Sequence, residues 1–381
     1  MQAALSSALL SEASLLNSLK KNYMTKYKTI LLAIVLCLLG SVLPVQASSH
    51  AHEEDASINV KDIIFDHIGD AYEWHVTTIG DKHVSIPLPV IVFSHEKGFH
   101  AFLSNKLHHG ESHEGFHIAT EGDYKGKVVE TTQTGEVKRP MLDLSLTKIA
   151  AGIVINSLLL IIIILCVSRW YRRHEASDEA PRGFVGMMEM LIMLVYDGII
   201  KPSVGKDYER YAPYLLTAFF FIFLSNLMGL VPFFPGGANV TGNIAITLVL
   251  AICTFLAVNL FGSREYWREV LWPDVPLWMK CPVPLMPVIE IFGLFTKPFA
   301  LTVRLLANIM AGHSVILALV CIIFITHSMG ALIGGSMTVV SVLFTIFMNV
   351  LELLVAFIQA YVFTMLSAVF IGLSRVEHHK E

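Results

Sequence analysis

The stretch Lys297-Pro-Phe-Ala-Leu-Thr-Val-Arg304-Leu-Leu-Ala-Asn308-Ile-Met-Ala-Gly-His313 decides the fold. It is hydrophobic enough to lie in a bilayer, yet Arg304 stands in its middle. A guanidinium does not shed its proton, so the segment holds a permanent charge where charge costs at least ~2.5 to 3.5 kcal/mol on insertion scales. Chains keep such a charge when it faces a partner or a water-filled path. The segment is therefore predicted to be a membrane helix that serves ion transport.

The rest of the chain agrees with a membrane setting. Of 381 residues, 54% are hydrophobic and only 15% are charged, and the mean hydropathy is +0.62. This is the profile of a polytopic membrane protein and not of a soluble multidomain one, and the long apolar runs described below make it an all-α one. The net charge of −4 offers nothing to a nucleic acid. The five cysteines form no CxxC or zinc spacing, which argues against disulfide, metal-cluster or cofactor chemistry. Residues 146–381 hold no His-Glu-x-x-His or Ser/His/Asp set, and the run His113-Glu114-Gly115-Phe116-His117 lies in the polar segment before them, so no catalytic site is expected.

At the amino end, Lys20, Lys21, Lys26 and Lys28 precede an apolar run over residues 30–45, and Val45-Gln46-Ala47 offers small residues for cleavage. Residues 1–47 are read as a signal peptide, with Met24 as an alternative start. A retained helix is the other reading, though its ~16-residue core is short for a span. Residues 48–145 are polar and would lie outside the cytoplasm as a small mixed segment, solvated and partly flexible. The alternation over residues 84–93 suggests a strand that Pro87 and Pro89 would confine to an edge. This segment is rich in histidine, and metal capture by His108, His109, His113 and His117 is conceivable on residue type alone, but no ligand set stands out.

Residues 146–381 form the membrane domain. Residues 149–167 are an apolar run of spanning length followed by Arg169, Arg172 and Arg173, so the positive-inside rule sends this span into the cytoplasm. Residues 184–195 read as an interfacial helix. Residues 214–234 span outward, the turn 235–243 carries no charge, and residues 244–261 return to a loop with Arg264, Arg268 and Lys280. The turn 326–337 lacks Lys and Arg, and the tail has Arg375 and Lys380. Five mature spans, amino end out and carboxyl end in, satisfy every short loop. The last two blocks, residues 284–325 and 339–373, would measure roughly 63 and 52 Å as helix, against a bilayer core of about 30 Å. They are predicted to tilt, bend or run along the membrane, with Pro298 as one bend, and to form a slab laid against another membrane object.

Inside that slab lie Glu290, Lys297, Arg304, His313 and Glu352, with Asn308 and Gln359 as neutral companions. On an ideal helix Arg304 and Asn308 share a face, His313 points about 180° away from Arg304, and Glu352 and Gln359 share a face. The topology places His313 nearer the exterior than Arg304 by roughly 13 Å, and Glu352 nearer than Gln359 by roughly 10 Å. This pairs His313 with Glu352 in the outer half and Arg304 with Gln359 near the middle, with Glu290 on the cytoplasmic side. The bland alternative is a set of buried ion pairs holding helices together, although such pairs rarely improve stability. Lys297 reads as a snorkelling residue or part of a path, and Asn308 and Gln359 as interhelical glue or part of a path.

The block Thr296-Lys297-Pro298 … Arg304-Leu-Leu-Ala-Asn308-Ile-Met-Ala-Gly312-His313, followed by Glu352 … Ile358-Gln359-Ala360-Tyr361-Val362-Phe363, resembles subunit a of the F-type ATP synthase membrane sector over about residues 145–375. Many members of that family place Glu where this chain has His313 and His where it has Glu352. An exchange between neighbouring positions keeps one His and one Glu per site. The resemblance implies a stator proton channel whose Arg304 faces the essential carboxylate of a ring of c subunits. It implies partners in that rotor ring and in peripheral-stalk b subunits, and a place in the bacterial inner membrane. Protons would pass Glu352, His313 and Asn308 from one half-channel to the ring and leave near Glu290 by a second. The rival from another class is a self-contained proton-coupled secondary transporter. That reading expects internal repeats and discontinuous paired helices, and no repeat relates residues 149–262 to 284–373.

Overall fold

Among the described residues, those before Thr147 are mostly β structure and those after it mostly helical. The computed structural model describes residues 69–79, 82–94, 98–110, 112–119, 122, 124–131, 137–174, 180–231, 234–271, 285–327 and 330–375. The signal-peptide reading of residues 1–47, Met24 as a start, Cys37 and Cys281 all lie outside the described residues.

The β unit contains strands β1 (Glu73–Ile79), β2 (Lys82–Pro87), β3 (Pro89–Ser94), β4 (Gly98–Leu103), β5 (Phe116–Ile118), β6 (Val128–Thr131), β7 (Val137–Lys138) and β8 (Leu142–Asp143). They form a β1–β2 hairpin and two three-stranded sheets ordered β4-β3-β8 and β5-β6-β7. Two expectations are corrected here. The segment is not merely solvated, because Tyr72, Val90, Val92, Phe102, Leu107, Phe116 and Val128 form a buried core. Nor does Pro89 confine its strand to an edge, since β3 lies between β4 and β8. Pro89 is the first residue of β3 and contributes only its carbonyl, which accepts from the Leu146 amide at 3.0 Å. No ladder donor is demanded of the ring, so the central position is permitted.

Thr147 caps helix α1 (Lys148–Tyr171) by accepting from the Ala150 amide at 3.3 Å. The β unit is tied to this helix start, with the Lys148 amide donating to Ala71 O at 2.7 Å and the Ile149 amide to the Asp70 carboxylate at 3.1 Å. Next come α2 (Phe184–Val195), a π-helical turn (Tyr196–Ile200), the short α3 (Lys201–Val204), a 3-10 turn (Gly205–Asp207) and α4 (Tyr208–Gly229). The segment read as interfacial is thus the first part of the continuous helical stretch Phe184–Gly229. The next helix begins at Tyr208 and ends at Gly229, not at residues 214 and 234. Asn243 caps α5 (Ile244–Leu260), which meets α6 (Arg264–Leu271) at 101°.

The last two helices, α7 (Leu285–His327) and α8 (Ala331–Leu373), have 43 residues each, about 64 Å of helix. Where a turn was expected over residues 326–337, α7 runs to His327 and α8 starts at Ala331, eight residues earlier than read. Helix α7 continues through Pro298 without a break. Among the described residues four helices are long and apolar enough to cross a membrane, or five if the bent α5–α6 pair is one span. Their shared core gathers Leu215, Phe219 and Ile222 of α4, Ala251 of α5, Leu301 and Leu305 of α7, and Ala360 and Phe363 of α8. Helix α7 packs on α8 and α5, and α8 packs on α4. These contacts place the polar residues of the last two helices.

Candidate functional site

Helices α7 and α8 run antiparallel, and two contacts set their register. His313 Nδ1 lies 3.7 Å from Glu352 Oε1, and the Lys297 ammonium lies 5.5 Å from the centre of the Phe370 ring. The predicted His313–Glu352 pairing is therefore present in the structure. The same register puts Asn308 level with Gln359, within about a turn, and Arg304 level with Tyr361 to Phe363. Gln359 thus faces Asn308 more nearly than Arg304, which refines the expected Arg304–Gln359 level by one turn.

The Glu352 side chain is 6% exposed, and neither carboxylate oxygen has a hydrogen-bond partner among the described residues. A buried carboxyl in that state is costly unless a partner comes within reach, and the His313 ring is one small side-chain movement away. Glycine makes the approach possible. A Cβ on Gly312 would stand 2.7 Å from Glu352 Oε1 and 3.0 Å from Cδ. On its other side His313 meets the end of α4, where its Nε2 would lie 3.7 Å from a Cβ on Gly229.

A second group of polar residues, not singled out in the sequence, surrounds this pair. Asn226 of α4 donates to Ala356 O of α8 at 3.3 Å, and Thr241 donates to Asn226 Oδ1 at 2.6 Å. Ala356 is one turn beyond Glu352. Along α8, Ser341, Thr345, Asn349 and Glu352 are all buried, and their spacing of four, four and three residues is a helical stripe legible in the sequence. Asn226 and Thr241 gave no such signal, because a loop must fold back before they meet.

Arg304 behaves differently. It is exposed, and it has no hydrogen bond or ion pair among the described residues. Its helix presents Phe292, Phe295 and Phe299 at 61–68% exposure, so the guanidinium stands on an apolar surface without a partner among the described residues. Nearby, Asn308 Nδ2 and Gln359 Oε1 are a buried donor and a buried acceptor, each without a partner among the described residues.

Toward the opposite end, Glu290 is half-buried and interacts electrostatically with Tyr266 of α6. Lys297, Asn259, Tyr266 and Phe370 help line a cleft between α5, α6, α7 and α8. Lys297 is half-buried there, with its ammonium over the Phe370 ring. Glu290 and His313 are about 34 Å apart along α7, and the structure does not bring them together.

In the β unit, His100 contacts the Glu114 carboxylate, and His113 Nε2 lies 3.2 Å from Lys106 Nζ. Among the described residues no three His, Cys, Asp or Glu side chains are placed to hold a metal ion. The side chains of His108 and His109 lie outside that description.

Comparison with known proteins accounts for both parts of the chain. The family model described as ATP synthase A chain matches residues 154–372. A second, described as a domain of unknown function (DUF8433), matches residues 63–144. ATP synthase subunit a 2 of Chlorobaculum tepidum is 42% identical over 254 residues, which cover 63% of this chain and 67% of the relative. ATP synthase subunit a of Pelodictyon phaeoclathratiforme is 43% identical over 260 residues, 65% of this chain and 72% of the relative. ATP synthase subunit a 2 of Prosthecochloris aestuarii is 39% identical over 302 residues, 76% of this chain and 84% of the relative. With a model match over more than half of its length and relatives at this level of identity, the chain belongs to the ATP synthase A chain family.

Proposed function

We propose that this chain is the stator proton-channel subunit of an F-type ATP synthase, a multi-pass membrane subunit with no catalytic site of its own. The β unit faces the exterior of a bacterial inner membrane, the carboxyl end faces the cytoplasm, and α7 and α8 form a tilted slab against a ring of c subunits. Peripheral-stalk b subunits hold the slab still. The observation that carries this reading is Arg304, a permanent charge on an exposed apolar helix face with no partner among the described residues. Such a charge is stable only opposite an anion supplied by another molecule.

Protons arrive from outside at His313 and Glu352, which are close enough to hand a proton between them through a small motion or one water. They then protonate a rotor carboxylate, which moves into lipid as a neutral group. After nearly a full rotation that carboxyl meets the second half-channel, near Glu290 and the Lys297 cleft, and releases its proton inward. Arg304 attracts the ionised carboxylate and bars a direct leak, while Asn308 and Gln359 supply hydrogen bonds beside it. Each charge crossing 100 mV supplies about 2.3 kcal/mol, so rotation must sum several crossings for each ATP.

The test is Arg304→Ala in the assembled complex. Proton-driven ATP synthesis is expected to vanish, with passive proton leak through the membrane sector. Normal coupled synthesis in this variant would overturn the assignment.

A further inference from the structure

The β unit does not stand apart from the proton site. Its hairpin reaches the turn between α4 and α5, and that turn and His313 both approach Gly229 at the end of α4. Trp74 of β1 is 2% exposed and packs edge-on against Phe234 with ring centres 5.3 Å apart. It forms a buried cluster with Leu88 of the β unit, Ala151 of α1, and Ala238 and Val240 of the turn. From below, α1 closes the same contact, since a Cβ on Gly152 would stand 2.7 Å from Ala238 Cβ.

The other side of the turn meets the titratable pair. Ala238 O and His313 Nε2 both approach Gly229, at 3.9 and 3.7 Å from where its Cβ would be. Thr241 reaches Asn226, which in turn holds α8 one helical turn from Glu352. Between them, both amide atoms of Asn239 are buried without a partner among the described residues. The Asn239 amide packs against Gly242 within the turn, and a buried polar side chain in that state calls for water.

The turn is only partly held by its own backbone, through the Gly237 amide on Met228 O at 3.0 Å and the Asn243 amide on Val240 O at 3.3 Å. It contains Gly236, Gly237 and Gly242, and Gly237 adopts a left-handed φ of 76°. Glycine-rich backbone has the most conformational freedom to lose. A large aromatic side chain set into it supplies the missing order, because a buried Trp removes about 150–250 Å² from water.

We propose that the β unit positions the proton-uptake turn, and that Trp74 is the positioning residue that shapes access to His313 and Glu352. The inference rests on the function proposed above and assigns a task to a part of the chain whose family match names none.

The test uses the intact synthase in vesicles, with the ATP synthesis rate followed against the outside proton concentration. Trp74→Ala is expected to raise the half-saturating proton concentration by about threefold or more while leaving the maximal rate within about twofold, and Trp74→Phe is expected to restore most of the loss. In parallel, Ala238→Cys, protected in the otherwise unchanged chain, should become reactive to a membrane-impermeant maleimide when combined with Trp74→Ala. An unchanged half-saturation overturns the proposal, whether or not the turn becomes reactive. So does a fall in maximal rate alone, which marks a merely structural role. If Trp74→Ala does not assemble, Phe234→Leu removes the other ring of the pair from a partly exposed position and is judged by the same criteria. Arg304→Ala in the same vesicles separates the two readings. If that variant retains coupled synthesis the proposed function fails; if it loses synthesis while Trp74→Ala leaves half-saturation unchanged, only this inference fails.

Discussion

Gly312→Ala is the substitution whose consequence follows most directly from the geometry. Helix α7 accepts alanine more readily than glycine on backbone grounds, by about 0.5–1 kcal/mol. Any harm must therefore come from what the new methyl touches. It would sit 2.7 Å from Glu352 Oε1, 3.0 Å from Cδ and 3.4 Å from Cγ. A carbon–oxygen contact needs about half an ångström more than the first of these, so Glu352 must swing away from His313 or α7 must part from α8. Overpacking of this kind costs about 1–3 kcal/mol. If it all falls on the working His313–Glu352 geometry, proton-driven synthesis should drop by about 5- to 150-fold, since 1.4 kcal/mol is about tenfold. Glu352→Asp shortens the same side chain and makes room for the methyl. Alone it should lower the rate, because the carboxylate withdraws from His313; joined with Gly312→Ala it should recover part of the loss. The assay is ATP synthesis in vesicles at a fixed imposed gradient, with equal amounts of assembled complex verified. Wild-type rates in Gly312→Ala, or a double variant as poor as the product of the single effects, would refute the reasoning.

Exchanging His313 and Glu352 in one chain, His313→Glu with Glu352→His, should preserve more synthesis than either single change, because one His and one Glu still meet across the helix pair; equal defects in the double and single variants would count against a shared relay. In the β unit, the His100 hydrogen bond holds the Glu114 carboxyl below its ordinary pKa. A carboxyl depressed on folding contributes stability that is present above its unfolded pKa and is lost as pH falls through the lower folded value. The His113–Phe116 backbone pair beside it should therefore exchange its amides faster, relative to Glu114→Gln, only when the medium is acidified below the carboxylate range.

The helical body was legible because its signals are long. Apolar runs and the Lys/Arg asymmetry of short loops survive errors of a few residues. Boundaries were not legible where polar residues find local partners. Residues 331–338, with Gly334, Gly335, Ser336 and Thr338, have the composition of a turn. They are helical because Ser336 donates to Ile333 O at 3.0 Å and Thr338 to Gly334 O at 2.7 Å, so neither hydroxyl needs water. The start of α4 was hidden by Glu209 and Arg210, yet the Arg210 guanidinium stacks 4.7 Å from the Phe261 ring centre. In the β unit the strands run from two to seven residues, too short for period-two alternation to stand out from loop. The charged and titratable residues of the site could be named because each is expensive in a membrane. Asn226, Asn239 and Thr241 escaped notice because their significance depends on a turn folding back over α8.

The register of α7 and α8 also constrains which helix can carry a proton between the two ends of the site. On α7, His313 and Arg304 are about 13 Å apart and on opposite faces, so no line of side chains along that helix joins them. On α8, Glu352 and Gln359 are seven residues apart, about 20° from a common line, and separated by about 10 Å. Gln359 then stands level with Asn308, which shares a face with Arg304 one turn away. The polar line therefore starts on α7 at His313, crosses to α8 at Glu352, descends that helix to Gln359, and returns to α7 at Asn308. The two unpaired atoms at this return, an amide donor on Asn308 and an amide acceptor on Gln359, suit a crossing that neither helix completes alone. Under the proposed function, α7 supplies the first and last groups and α8 the link. A shift of one helix past the other by a single turn would then break proton uptake without removing any of the residues that perform it.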